Sequence, residues 1–231
     1  MMQAKKEQFF LGVSIVKINE NICLNFKEGF VSMHPFDTVR NFEKALAEYC
    51  GSKYAVAVDS CTSALLLACA YMKVKEVTIP KRTYPSVPCS IIHAGGSVRF
   101  EDVEWSGIYQ LKPYPIYDGA KRFRRNMYIP GSLHCLSFHI KKLLPLGRGG
   151  AILTDDLEAV EWLKVASFDG RHPGVALAND TFDTLGWNVY MAPEQAARGH
   201  LLLTMMKDDN EDQIENPPYP DLSEFEIYTK K

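Results

Sequence analysis

The sequence lacks the long hydrophobic runs that mark a membrane protein. Its longest apolar stretches, such as residues 64–72, are far shorter than the roughly 20 residues that a bilayer-spanning helix needs. No basic and then apolar leader precedes a small-residue cleavage site. We therefore expect a cytoplasmic protein that has no membrane partner.

Cysteines are present, but they lack the spacing of a metal or disulfide site. The six cysteines are scattered along the 231 residues without a C-x-x-C pair or a histidine-rich neighbourhood. Structural zinc sites and disulfide-rich domains use closely spaced cysteines. We expect no metal site, and we expect thiols that stay reduced.

A long basic stripe interleaved with aromatic residues is also lacking, which argues against a nucleic-acid partner. The formal net charge is −2. Residues 207–231 hold eight acids and three lysines, or −5, which leaves +3 for the rest of the chain. A mildly basic body with an acidic end leaves room for small anionic ligands.

The pattern that is present alternates between helical and extended segments from about Asp37 onward. This alternation is typical of an α/β protein with a mainly parallel sheet. It predicts helices over residues 37–49, 60–72, 84–94, 155–166 and 193–206, and strands over 54–58, 77–79, 97–100, 115–117, 133–138 and 151–154. We expect residues 1–36 to form an N-terminal segment with a possible strand at 9–15, residues 37–206 to form the large domain, and residues 207–231 to form a loose acidic, proline-containing tail.

Three segments carry residues suited to chemistry, and each has an ordinary explanation when taken alone. Residues 59–63 (DSCTS) follow a strand and open a helix, which makes either a phosphate seat or a plain helix cap. Asp118 ends a strand and is followed by glycine and alanine, so it is either a ligand contact or a turn residue. Lys142 follows a strand that ends in Ser137 and precedes the glycine turn at 147–150, although loop lysines are usually solvated.

The order of these segments from about residue 42 to residue 203 resembles the DegT/DnrJ/EryC1/StrS family of pyridoxal-phosphate (PLP) dependent sugar aminotransferases. Residues 60–65 (SCTSAL) resemble that family's phosphate-binding Ser-Gly-Thr-Ala-Ala-Leu. Residues 118–120 (DGA) match its Asp-x-Ala segment, and residues 137–150 match its Schiff-base segment. Residues 186–197 resemble its Gly-Tyr-Asn…Met…Gln-Ala-Ala stretch. The resemblance implies a fold-type I, aspartate aminotransferase-like large domain in the form of a three-layer sandwich.

The resemblance also implies roles for particular residues. Lys142 would hold PLP as a Schiff base and move protons, and Asp118 would pair with the ring nitrogen. Tyr84 would stack on the pyridine ring, and Asn188 would reach the phosphate in the neighbouring subunit, which implies a homodimer. The other implied cofactor contacts are Cys61, Thr62, Ser63, Lys121, Ser137 and His139.

This sequence departs from the family pattern in charge and in length. Lys121 stands where the family usually has Gln or His, Arg148 replaces an acidic residue, Cys61 replaces a glycine and Tyr190 replaces an arginine. Lys81 and Arg82 replace small or aromatic residues, and most of the family's C-terminal small domain is missing after residue 203.

The function expected from the resemblance is transfer of an amino group from glutamate or glutamine to a keto-sugar carried on a nucleotide. Arg82, Arg122, Arg124 and Arg125 are candidates to meet phosphate or carboxylate groups. A catalytically weak or silent relative that serves as a dimeric scaffold is the first alternative. A flavodoxin-like α/β domain without PLP is the second, because a fold alone does not specify a function.

Overall fold

The computed structural model describes residues 34–216 and 218–229. The strand expected at residues 9–15 lies outside these residues. Within them, no helix combines the length and the apolar character required to cross a bilayer.

The described part of the chain contains five α-helices and seven strands. The helices are α1 (Pro35–Cys50), α2 (Cys61–Tyr71), α3 (Ser86–His93), α4 (Leu157–Ala166) and α5 (Pro193–Leu203). The strands are β1 (Tyr54–Val58), β2 (Glu76–Pro80), β3 (Ser97–Glu101), β4 (Tyr109–Gln110), β5 (Ile116–Asp118), β6 (Leu133–Ser137) and β7 (Gly150–Thr154). Short 3-10 helices cover Leu177–Asn179, Leu222–Glu224 and Glu226–Tyr228.

Local sequence accounts for the ends of these helices. Gly51, with a φ of 83°, follows the last residue of α1 in a left-handed conformation that suits glycine. The Asp156 carboxylate caps α4 by accepting from the amides of Glu158 and Ala159. The proline in α3 is only its third residue, where a missing amide is tolerated.

The sheet is mixed, and the expectation of a mainly parallel sheet is wrong for its pairings. The five-stranded sheet has the order β1-β7-β6-β5-β4, and β2 pairs with β3 separately. Three of the five pairings in the described residues are antiparallel, because β7 and β4 run against their neighbours. An antiparallel bridge between Thr78 and Lys112 links the two sheets.

The strand directions that follow from these pairings still place the carboxyl ends of several strands at one edge of the sheet. Strands β1, β2, β3, β5 and β6 all point the same way. Ligands of open α/β sheets bind beyond the carboxyl ends of such strands. The residues that follow β1, β5 and β6 therefore meet at a single edge.

Two hydrophobic layers sandwich this sheet, as the three-layer prediction requires. On one face, α1 and α5 pack around buried Phe42, Leu46 and Phe138. On the other face, α2, α3 and α4 pack around buried Leu67, Ile91 and Leu163. Consecutive residues of β1 alternate between the two layers, since successive strand side chains point to opposite faces.

The expected loose tail is instead an ordered segment, here named the strap (residues 207–216 and 218–229). Leu222 is only 2% exposed, and its amide donates to the Lys81 carbonyl at 2.9 Å. Asp212 forms two hydrogen bonds with the Arg122 guanidinium, at 2.8 and 2.6 Å. The acidic composition suggested a solvated tail, but these acids pair with basic groups of the body.

His134 on β6 is an unusual buried group. It is fully buried, and neither ring nitrogen has a hydrogen-bond partner among the described residues. Burial, aided by the nearby Arg122 guanidinium, lowers its pKa from 6.5 to about 4. A Cβ added to Gly119 would lie 2.4 Å from its Nε2, so the ring also requires glycine at that position.

We expect His134 to make the protein sensitive to acid. Its pKa is lower in the folded than in the unfolded chain, so the unfolded chain binds the proton first. The free energy of unfolding should therefore fall by about 3 kcal/mol as the pH drops from about 6.5 to about 4. Urea unfolding across this range should show the loss, and His134→Leu should remove it.

The exposed His93 provides the matched control, because His93→Gln should leave the pH dependence unchanged. If His134→Leu kept the wild-type slope, the buried imidazole would not be the acid-sensitive group.

Candidate active site

Three segments meet at the carboxyl edge of the sheet. They are the β1–α2 junction at 59–63, the end of β5 at Asp118, and the loop from Ser137 to Gly150 that joins β6 to β7. These are the segments that the sequence singled out for chemistry. The fold therefore brings these three segments to one edge.

The start of α2 is built from hydroxyl groups. Ser60 caps the helix, and its Oγ accepts from the Ser63 amide at 3.2 Å. The Thr62 hydroxyl is exposed and donates to Ser86 Oγ at 2.9 Å. Unpaired amides and the positive end of the helix dipole make such a start attractive to an anion.

The glycine turn after Lys142 packs directly against this helix start. A Cβ added to Gly150 would lie 2.5 Å from the Cys61 amide nitrogen, so no larger residue fits there. Gly149, with a φ of 156°, places the Arg148 carbonyl where Gln195 Nε2 donates to it at 2.7 Å. The turn is therefore held at a fixed place beside α2.

Asp118 is a buried carboxylate with two donors. The Tyr109 hydroxyl donates to its Oδ2 and the Ala120 amide donates to its Oδ1, both at 2.9 Å. Burial raises the pKa of Asp118, while the two donors and the charges of Lys142 and Lys121 oppose that rise. Among the described residues, no ion pair within 4.0 Å satisfies this carboxylate.

Tyr109 is a site residue that the sequence analysis missed. It lies on β4, opposite Asp118 in the pairing with β5. Because its proton points to Asp118, its oxygen accepts from the Thr83 hydroxyl at 2.6 Å. A two-residue strand is too short to show the alternation that identifies strands in a sequence. The sequence signal for β4 was therefore limited to the Tyr-Gln-Leu stretch before Pro115.

Lys142 lies within electrostatic range of the other site residues. Its ammonium group affects the pKa of both Asp118 and Cys61, and the residue is half-buried. Its amide donates to the His139 carbonyl at 2.8 Å, which shapes the loop behind it. The lysine is therefore only partly exposed, and its charge acts on both groups.

Cys61 occupies the first turn of α2. Burial and the Asp118 carboxylate raise the pKa of its thiol well above the usual value, and Lys142 opposes this. The thiol is thus protonated near neutral pH. It fills space at the helix start without adding negative charge.

Lys121 is buried in a cage that includes the strap. Its Nζ lies 3.3 Å from Glu215 Oε2, 4.5 Å from the Tyr219 ring centroid and 5.1 Å from the Trp105 ring centroid. Aromatic faces and a carboxylate stabilise a buried ammonium. Lys121 is therefore engaged by the strap as well as by the field of Asp118.

The remaining predicted contacts differ in exposure. Tyr84 is 58% exposed, and its ring meets Tyr219 edge to face at 6.2 Å. Ser137 Oγ accepts from the amide of the exposed His139 at 3.5 Å. Asn188 is exposed, and its side chain donates to Asp169 at 2.9 Å.

The candidate basic cluster is occupied by acids of this same chain. Arg122, Arg124 and Arg125 pair with consecutive parts of the strap, and Arg82 pairs with Asp102 at 2.9 Å. The strap partners are Asp212, Asp209 and Asp208, respectively. The cluster is therefore neutralised internally, and in the described structure it is not a free anion site.

We expect the Arg122–Asp212 pair to hold the strap. The two side chains are 22% and 16% exposed, and the bond is bidentate. A double-mutant cycle with Arg122→Gln and Asp212→Asn should give a coupling energy of about 1 kcal/mol in chemical unfolding.

The Arg124–Asp209 pair is the control. Its atoms are 4.0 Å apart and Asp209 is 92% exposed, so its coupling should be close to zero. Equal coupling in both cycles would show that the buried, bidentate geometry is not what fastens the strap.

Solved structures with this fold define the class of protein. 3-Amino-5-hydroxybenzoic acid synthase superposes with a TM-score of 0.63 at 22% identity, over 73% of this chain and 56% of that one. Helicobacter pylori PseC, an aminotransferase of pseudoaminic acid biosynthesis, superposes with a TM-score of 0.58 at 18% identity, over 72% and 57% of the two chains. The fold is that of the large domain of PLP-dependent aminotransferases, which sets the flavodoxin-like alternative aside.

The family follows from the sequence match. The model of the DegT/DnrJ/EryC1/StrS aminotransferase family matches residues 17–116 and 124–219, and this chain belongs to that family. GDP-perosamine synthase of Caulobacter vibrioides is 41% identical over 68% of this chain and 54% of its own length. The spore coat polysaccharide biosynthesis protein SpsC of Bacillus subtilis is 26% identical over 72% and 55%. The chain spans about half the length of these relatives.

Proposed function

We propose that this chain binds PLP through Lys142 and transfers an amino group from glutamate or glutamine to a keto-sugar nucleotide. The observation that carries the proposal is the buried Asp118 carboxylate at the carboxyl edge of the sheet, close enough to Lys142 for the lysine charge to lower its pKa. When bound, PLP supplies a ring that accepts the electrons left by proton removal from the amino-group donor.

The donor set of this edge fits such a cofactor. A buried carboxylate that lacks a bonded cation suits a protonated ring nitrogen, because the pair would offset the cost of burying Asp118. The helix start at Ser60–Ser63 suits a phosphate group. Lys142 lies within electrostatic range of both features, because its charge acts on Asp118 and on Cys61.

Each residue then has a physical task. Asp118, oriented by Tyr109 and the Ala120 amide, would fix the ring nitrogen in its charged form. Lys142 would hold the cofactor and, once released, carry a proton as general acid and base. Tyr84 would cover the ring.

The other proposed contacts lie around these groups. The hydroxyls of Thr62 and Ser137 would contact the phosphate, and Ser63, whose hydroxyl donates to Asp59, would lie beside it. Lys121 would lie beside the phenolic oxygen of the cofactor, His139 would belong to the segment that carries Lys142, and Cys61 would belong to the phosphate loop.

Assembly as a homodimer is part of the proposal. Asn188 is exposed and lies on the segment beside β1, whose Val189 carbonyl accepts from the Asp59 amide at 2.8 Å. An exposed amide at this place suits a contact with the phosphate of a second subunit. The cytoplasmic location expected from the sequence also remains part of the proposal.

The substrate class is supported by the relatives. The two curated relatives are named for GDP-perosamine synthesis and for spore coat polysaccharide biosynthesis, which both concern sugars. These names support an aminotransferase that acts on a sugar.

A silent scaffold is the second candidate, and the strap favours it. Glu215 and Tyr219 engage Lys121 at the edge of the proposed ring site. If the strap occupies this edge of the ring site, the protein could still bind the cofactor, but a large sugar nucleotide would have less access to it. Catalysis needs that access, because the reacting groups must be held in contact.

Loading with PLP tests Lys142. The wild-type protein should develop visible absorbance from a covalent lysine adduct, and borohydride should abolish it. Lys142→Ala should lose the absorbance, whereas the neighbouring control Lys141→Ala should keep it. Adduct formation that persists in Lys142→Ala would place the linkage on another lysine.

Glutamate addition separates the two candidates. In an active enzyme it should bleach the visible absorbance of the loaded protein, and a silent scaffold should stay coloured. Asp118→Asn should slow the bleaching by about 10²-fold with little change in glutamate affinity, because the lost charge acts during proton transfer. Thr78→Ser, away from the carboxyl edge, should bleach at the wild-type rate.

A further inference from the structure

The helix start proposed to seat the phosphate already contains a negative charge. Asp59 Oδ1 accepts from the Ser63 hydroxyl at 2.6 Å and from the Ser60 hydroxyl at 3.0 Å. Both hydroxyls are therefore turned toward a carboxylate. A phosphate dianion approaching the same amides would be repelled by that carboxylate unless its charge is balanced.

Arg148 supplies the balancing charge. Its guanidinium donates to Asp59 Oδ2 at 2.6 Å, across the contact between the glycine turn and α2. The backbone fixes this position, because Gly150 packs against the Ser60–Cys61 peptide and Gln195 anchors the Arg148 carbonyl. In the described residues, this is the only ion pair of Asp59 within 4.0 Å.

Stability does not account for the pair. The Arg148 side chain is 69% exposed and that of Asp59 is 20% exposed. An ion pair with one member so exposed contributes little to the free energy of unfolding, because water screens it. Its main effect is local, on the electrostatic potential at the start of α2.

We propose that Arg148 is a positioning residue for the cofactor phosphate, which it serves by neutralising Asp59. The inference rests on the proposed binding of PLP. Arg148 in the glycine turn and Asp59 before α2 thus form one balanced pair of charges. Arg148 acts through Asp59, and Asp59 orients the Ser60 and Ser63 hydroxyls.

Two variants and their combination test this arrangement. Asp59→Asn keeps an acceptor for both serine hydroxyls and removes only the charge, and Arg148→Gln removes the balancing cation. The probes are PLP and pyridoxal, which lacks the phosphate, titrated by visible absorbance at fixed ionic strength. Thermal unfolding of each variant checks that it is folded.

Arg148→Gln should weaken PLP binding by about tenfold to a hundredfold and leave pyridoxal binding unchanged. Asp59→Asn should bind PLP at least as tightly as the wild type. The double variant should return to within about threefold of wild-type affinity, because no unbalanced charge remains. Arg148→Lys, which keeps the cation, should bind PLP nearly as the wild type does.

Three results would overturn the inference while leaving PLP binding intact. Arg148→Gln could bind PLP normally, it could lose affinity for PLP and pyridoxal alike, or the double variant could stay as weak as Arg148→Gln. The last result would mean that Arg148 contacts the phosphate directly. A wild-type protein that bound neither probe would overturn the proposed function itself, and this inference with it.

Discussion

The site depends on one buried carboxylate. Asp118 is only 4% exposed, and burying an unpaired charge at that depth is costly. The chain offsets part of the cost with the Tyr109 hydroxyl, the Ala120 amide and the fields of two lysines. These groups come from three places in the chain: Tyr109 from β4, Ala120 and Lys121 from the turn after β5, and Lys142 from the loop after β6. A cation bound at this place would complete the arrangement.

Charge pairing between distant parts of the sequence is the second organising feature. The strap brings its acids to Arg122, Arg125, Lys81 and Lys121, and the glycine turn brings Arg148 to Asp59. These contacts join segments that are far apart in the chain.

Sequence reasoning located most of the body and the predicted site segments. Strand β1 has the predicted bounds, and every end of α2, α4 and α5 lies within three residues of the prediction, since caps and fraying turns decide the exact ends. Tyr109 was missed because a two-residue strand has no pattern. The direction of β7 was missed because side-chain alternation is the same in parallel and antiparallel strands. The strap was predicted to be a loose tail because composition shows that the segment is acidic but does not show the arginines with which its acids pair.

The close approach of Gly150 to the Ser60–Cys61 peptide has a consequence for engineering. The helix start and the glycine turn are about ninety positions apart in the chain, yet they share one surface and one balance of charge. A chimaera joined anywhere between them would take its aspartate from one parent and its turn from the other. A chimaera therefore preserves this balance of charge when the helix start and the glycine turn both come from the same parent.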